Sequence, residues 1–202
     1  MADTYSNCAE LAAMEVLGQD YAIRVIKQSR DMIIVAPHAG GIEVGATELS
    51  LEIAGKDYSV YLFEGRKSSG NMALHVTSTN FDEPIAMKEI AEHKRSVSVH
   101  GYSDSTVKHT IVGGLDIPLR DKIVESLIAA GFSASVATDR FTAKNPRNIV
   151  NRCATGAGVQ LELSTLQRKA FFTNDDWSSS NRGNVTEDFS RYAGSIRSAI
   201  VS

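Results

Sequence analysis

The sequence is short of the features that mark several protein classes. It has two cysteines in 202 residues, Cys8 and Cys153, far apart and without a Cys-x-x-Cys spacing. That excludes a disulfide framework, a thiolate zinc site and a dithiol redox motif, and leaves both as buried or bystander thiols. Long apolar runs are missing too: the longest, Met32 to Ala36, has five residues, against roughly 20 for a membrane-spanning helix. The stretch Met1 to Ser6 lacks a basic region followed by an apolar one, so we expect cytoplasmic synthesis without a secretory signal. There is no basic excess, since the net charge is −3 with no basic run, and a nucleic-acid partner is not expected. Dinucleotide, Walker-type and Gly-x-Ser-x-Gly signatures are absent.

What is present is the composition of an average soluble globular protein, 43% hydrophobic and 22% charged, enough to bury a core without staples. The length predicts one domain spanning residues 1–202. Short segments rich in Val and Ile read as strands: Ala22–Ile26, Met32–Ala36, Tyr58–Phe63, Leu74–Thr77, Val97–His100, Thr110–Gly113, Ser133–Ala137 and Val159–Leu163. Helical character falls near Thr47–Ala54, Glu83–His93, Pro118–Ala130 and Gly183–Ile200, with a polar loop over Thr173–Asn184. This alternation predicts an α/β fold with a mixed, mostly parallel sheet flanked by helices.

Four constellations carry possible chemistry. In Ile33-Ile-Val-Ala-Pro-His38-Ala-Gly-Gly-Ile-Glu43 a buried-type strand runs into a Gly-rich turn, at the end of a strand where open α/β sheets bind ligands. Paired glycines let an imidazole and a carboxylate meet on one cation, although a solvated His and an ordinary first-turn Glu fit the same pattern. Ser96-Val-Ser-Val-His100-Gly101 again delivers a His at a strand end before a Gly. A catalytic zinc site takes three protein ligands and an open position, and His38, Glu43 and His100 would make such a set. His75 and His109 also lie near strand ends, so position alone does not select His100, while His93 reads as an exposed helical residue. In Val159-Gln-Leu-Glu162-Leu-Ser164, Glu162 is a lone carboxylate on an apolar strand. Buried there it is a candidate general base; on an edge strand it would be solvated. Arg147, Asn148 and Arg152, with Arg66, could bind carboxylates, and the charge of +4 over residues 140–202, against −7 over 1–139, makes that third of the chain the place to meet an acidic substrate.

Taken together these blocks resemble a known family. They are Ala36-Pro-His-Ala-Gly-Gly-Ile-Glu43, Thr47-Glu-Leu49, Phe63-Glu-Gly65, Leu74-His-Val-Thr-Ser-Thr-Asn-Phe-Asp-Glu-Pro84, Val97-Ser-Val-His-Gly-Tyr102, Val112-Gly-Gly-Leu115, Asn148-Ile-Val-Asn-Arg152 and Gly158-Val-Gln-Leu-Glu-Leu-Ser164. In this order, and over nearly the whole chain, they are similar to the phage and bacillus-type poly-gamma-glutamate hydrolases, related in fold to zinc carboxypeptidases and to deacylases of the N-formylglutamate and succinylglutamate kind. The resemblance implies one zinc ion on His38, Glu43 and His100, Glu162 as general base, and hydrolysis of the γ-glutamyl amide bonds of poly-γ-glutamate. It makes Arg66, Arg147, Asn148 and Arg152 candidates for the polymer's α-carboxylates. The ligand spacing is His-x4-Glu, where the larger carboxypeptidases have His-x2-Glu, and Ala39 replaces a third Gly of the turn. A monomer with no membrane partner is expected, and for a phage product the resemblance implies release at host lysis to act on a capsule. A zinc amidohydrolase of small N-acyl glutamates or γ-glutamyl peptides remains the alternative, and a non-catalytic binder of capsule or wall peptide a third reading.

Overall fold

The computed structural model describes residues 3–201. Seven strands form one sheet: β1 (Tyr21–Ile26), β2 (Ser29–Gly40), β3 (Tyr58–Gly65), β4 (Arg95–Tyr102), β5 (Thr110–Gly114), β6 (Ala134–Val136) and β7 (Val159–Ser164), in spatial order β1-β3-β2-β4-β7-β5-β6. The pairings β2 with β3, β2 with β4, β4 with β7 and β5 with β6 are parallel, and β1 with β3 and β5 with β7 antiparallel. The expected mixed, mostly parallel sheet is therefore the one observed. Helices are α1 (Cys8–Met14), α2 (Ala46–Ala54), α3 (Pro84–Ala91), α4 (Ile117–Ala129), α5 (Thr165–Lys169) and α6 (Glu187–Val201).

The central strands are apolar on both faces because both are covered. Along β2, Met32, Ile34 and Ala36 pack into one cluster with α2, α4 and α6, while Ile33 and Val35 pack into another with Leu11 of α1 and Ile90 of α3. Both cysteines are buried and free. No helix among the described residues is long and apolar enough to cross a membrane.

The chain leaves β2 through α2 to reach β3 on one side, whereas β4 lies on the other, so the crevice beyond the carboxyl ends of β2 and β4 is a topological switch point. It opens further because β2 pairs with β4 only as far as Val35 and Ser98, and its register with β3 breaks between Ala36 and Ala39. Next door, β4 and β7 stay paired, with His100 beside Glu162.

Some expectations need correction. Leu74–Thr77 is not a strand: Asn71–Leu74 forms a 3-10 turn and the residues after it join no ladder. Their backbone groups are spent elsewhere, since Val76 O meets His38 and Thr77 N donates to Asp3. His93 is buried, not exposed, its Nδ1 2.6 Å from Glu89 O. The last helix begins at Glu187, four residues beyond Gly183, because Thr186 N and Oγ1 bond Phe171 O and Ala170 O instead of continuing a helix upstream.

Candidate active site

The turn after β2 folds back on itself. Gly40 takes a left-handed φ of 66°, and a Cβ there would come within 3 Å of Gly65 N, so glycine is required. The turn lets Glu43 N donate to His38 O at 2.8 Å and brings the Glu43 carboxylate to the end of β4, where Oε2 accepts Gly101 N at 2.9 Å. His38, at the end of β2, has Nε2 2.8 Å from Val76 O, so Nε2 donates to that carbonyl and Nδ1 faces the cluster. His100 Nδ1 lies 3.1 Å from His38 Nδ1, and His100 Nε2 is buried without a partner. The carboxylate of Glu43 closes the triangle, Oε1 3.4 Å from His38 Nδ1 and Oε2 3.6 Å from His100 Nδ1. Tetrahedral ligands about 2.0–2.1 Å from one ion stand about 3.3 Å apart, and the spacings of the His38 and His100 Nδ1 atoms from each other and from the two Glu43 oxygens, 3.1, 3.4 and 3.6 Å, are of that order.

His75 is the residue that strand-end reasoning left undecided, and the structure places it in the same cluster. Its Nε2 is 3.9 Å from Glu43 Oε1, and donor atoms of His38, Glu43 and His75 all lie within 4.8 Å of one another. Its ring stacks on that of His38, centroids 4.0 Å apart and tilted by 29°. Asp3 holds it from behind, Oδ1 2.7 Å from His75 Nδ1. Burial and the neighbouring His38 push the His75 imidazole below its ordinary value, against the pull of Asp3. For the Asp3 carboxyl burial works upward, but hydrogen bonds from Thr77 and His75 outweigh it and hold the group below the usual range. His109 stands apart, between Ser133 and Ser135.

Glu162 is on β7, an interior strand, and is buried, so the edge-strand reading does not hold. Its Oε1 accepts Gln160 Nε2 at 2.9 Å, and Gln160 Oε1 accepts Asn148 Nδ2 at 2.9 Å. Burial, and then the charge of Glu43, push the Glu162 carboxyl well above the carboxylate range. Glu43 goes the other way: burial opposes ionisation, but His38 and His100 hold it far below. Two neighbouring carboxyls with divergent environments are the usual mark of divided roles.

Arg168, which sequence reasoning missed, is a cation whose charge reaches both. It is buried, donates from Nη1 to Val44 O at 2.8 Å and from Nε to Leu163 O at 3.3 Å. Burial lowers its guanidinium while Glu43 and Glu162 raise it. Gly101 makes room for it, since any Cβ at that position would fall within 3 Å of the guanidinium. Trp177 lies across it, 5.4 Å from ring centre to Cζ.

These residues line a cleft of about 1240 Å³. Of the four residues expected to bind substrate, Asn148 alone lines it, and its side chain is spent on Val150 N and Gln160. Arg66 and Arg147 are exposed and Arg152 half-buried, all outside the cleft lining. The Lys and Arg side chains that do line it are Lys144 and Arg168.

The sequence model described as poly-gamma-glutamate hydrolase matches residues 5–195. A solved structure of a bacteriophage poly-gamma-glutamate hydrolase is 53% identical and superposes with a TM-score of 0.98, covering 99% of this chain and 97% of that one. A zinc-free apo structure of YndL is 37% identical with a TM-score of 0.91, covering 100% and 98%. The SPbeta prophage-derived protein YoqZ of Bacillus subtilis (strain 168) is 46% identical over 173 residues, 85% of this chain and 62% of that protein, so the match spans less than two thirds of that relative. An N-formylglutamate amidohydrolase from Ralstonia eutropha JMP134, 8% identical with a TM-score of 0.51, shares the fold alone.

Proposed function

The chain belongs to the poly-gamma-glutamate hydrolase family, and from that membership and the site geometry we propose that it is a zinc-dependent hydrolase of the γ-glutamyl amide bonds of poly-γ-glutamate. The observation that carries this reading is the meeting of two imidazole Nδ1 atoms and one carboxylate within 3.1–3.6 Å, with a second, protonation-prone carboxyl on the adjoining strand. His38, Glu43 and His100 are the ligand set. His75 is set apart from it: its ring stacks on that of His38, centroids 4.0 Å apart and tilted by 29°, and its Nε2 stands 3.9 Å from Glu43 Oε1, farther than the imidazole nitrogens of His38 and His100 stand from the same carboxylate. The rings of His38 and His100, at 64° to one another, can share one ion.

Zinc held by His38, Glu43 and His100 would supply Lewis acidity toward the amide carbonyl and toward the attacking water. The remaining work belongs to the chain. Glu162, with Oε1 tied to Gln160, takes the proton of the attacking water on Oε2. The water oxygen bonds to the carbonyl carbon, the C–N bond breaks, and Glu162 returns the proton to the departing amine nitrogen. Gln160 and Asn148 fix the plane of that carboxylate. Arg168 keeps two close carboxyl groups tolerable in a buried site. The cleft also favours polymer over a small N-acyl glutamate, because its 1240 Å³ exceeds the roughly 300–1,000 Å³ of small-ligand pockets.

The test is incubation of zinc-loaded protein with high-mass poly-γ-glutamate, followed by size-exclusion chromatography with and without a chelator. A chelator-sensitive fall in chain length is expected. Unchanged polymer together with cleavage of short γ-glutamyl peptides would transfer the assignment to the small-substrate amidohydrolase.

A further inference from the structure

The N-terminal segment reaches the centre of the site through one carboxylate. Asp3 Oδ1 meets His75 Nδ1 and Asp3 Oδ2 accepts Thr77 N, each at 2.7 Å. The two contacts flank Val76, whose carbonyl accepts His38 Nε2 at 2.8 Å. His75, so held, lies against the His38 ring, and Phe81 meets the same imidazole edge-on, centroids 6.1 Å apart. Thus Asp3 grips both neighbours of the backbone group that sets the tautomer of His38. The segment itself is anchored nearby, with Cys8 N donating to Asp82 Oδ1 at 2.8 Å and Tyr5 OH to Glu15 Oε1 at 2.6 Å.

We propose that Asp3 is a positioning residue of the metal centre, a clasp that fixes His75, Val76 and through them His38, so that docking of the N-terminal segment and metal binding stabilise each other. The proposal rests on the reading of His38 as a ligand. Its physical basis is that a ligating imidazole is oriented by the partner of its other nitrogen, and that loss of such outer partners weakens metal affinity 10–100-fold. Segment 75–77 joins no strand ladder; beside the turn bonds of His75 N to Met72 O and Asn80 N to Thr77 O, it is Asp3 that ties down the peptide whose carbonyl holds His38. Coupling between two events is reciprocal in free energy, so zinc must also strengthen the docking of the segment.

The experiment measures zinc dissociation constants of the full chain by competition with a chromophoric chelator, for wild type, Asp3→Ala and Asp3→Asn, with thermal unfolding of each metal-free protein. Asp3→Ala is expected to bind zinc 10–100-fold more weakly, and Asp3→Asn, which keeps an acceptor oxygen, to recover part of the loss. Amide hydrogen exchange of the wild type gives the second readout and does not depend on any variant folding: zinc should slow exchange of Thr77 and of residues 4–8. Unchanged affinity in Asp3→Ala, or exchange at these amides indifferent to zinc, overturns the clasp. Failure of the wild type to retain zinc would instead overturn the metal-site reading on which the clasp stands, and the two failures are told apart by that one measurement.

Discussion

Replacing Glu162 by Gln removes one proton acceptor and keeps the shape. The substituted side chain retains an amide oxygen for Gln160 Nε2, now 2.9 Å from Glu162 Oε1, so the strand and its neighbours stay in place. A side chain that moves a proton in the transition state contributes 10²–10⁴-fold, or about 3–5 kcal/mol of barrier at 1.36 kcal/mol per tenfold. Turnover of Glu162→Gln should fall by that factor with KM little changed and zinc still bound. Stability should move the opposite way. Burial and Glu43 raise the Glu162 carboxyl in the folded protein, so the folded chain holds that proton more tightly than the unfolded chain does. As pH rises above about 4.3, the ordinary glutamate value, the unfolded chain ionises first, and the native state loses stability until its own raised value is passed. Metal-free Glu162→Gln should therefore melt above wild type at pH 7–8, with the gain vanishing as pH falls toward 4. Turnover within threefold of wild type would remove Glu162 from proton transfer. A variant that melts below wild type at pH 8 would refute the burial argument.

Arg168→Gln removes a buried positive charge whose field reaches Glu43 and Glu162 and frees Val44 O; a buried acceptor left without its donor costs about 1–3 kcal/mol, so the metal-free protein should show a lowered denaturant midpoint that added zinc partly restores. Gly101→Ala drives a Cβ against the same guanidinium, and overpacking of about 1–3 kcal/mol should lower the melting temperature and cut turnover at least tenfold, read by calorimetry and polymer cleavage. Asn148→Ala breaks the Asn148–Gln160–Glu162 chain; steady-state kinetics should give a lower kcat with KM unchanged, whereas a rise in KM alone would return Asn148 to the role of carboxylate binder.

Residues on strands were legible because the sheet dictates where they go. β2 carries an Ile-Val run and β4 and β7 alternate Val or Leu with polar residues, with His38, His100 and Glu162 toward their carboxyl ends, and parallel strands that are neighbours must bring those ends together. The turn from Pro37 to Glu43 was readable from its glycines, one of which backbone contact with Gly65 makes obligatory. Residues reaching in from outside the sheet had no such rule. Val76 and Thr77 have the composition of a strand, yet their peptide groups are claimed by His38 and Asp3, a tertiary demand that periodicity does not carry. Counting charge over the last third of the chain located a basic region but not its direction, and Arg66, Arg147 and Arg152 stay outside the cleft while Arg168 enters it. For Arg168 a local signal did exist. Ser164-Thr-Leu-Gln167 directly after an apolar strand is a capping box; Ser164 accepts Gln167 N and starts the short helix α5. A helix that begins at the last residue of β7 has to carry its next turn back across the strand ends, and of the two basic residues of that turn, Arg168 and Lys169, it is Arg168 that enters the cleft with the two carboxylates.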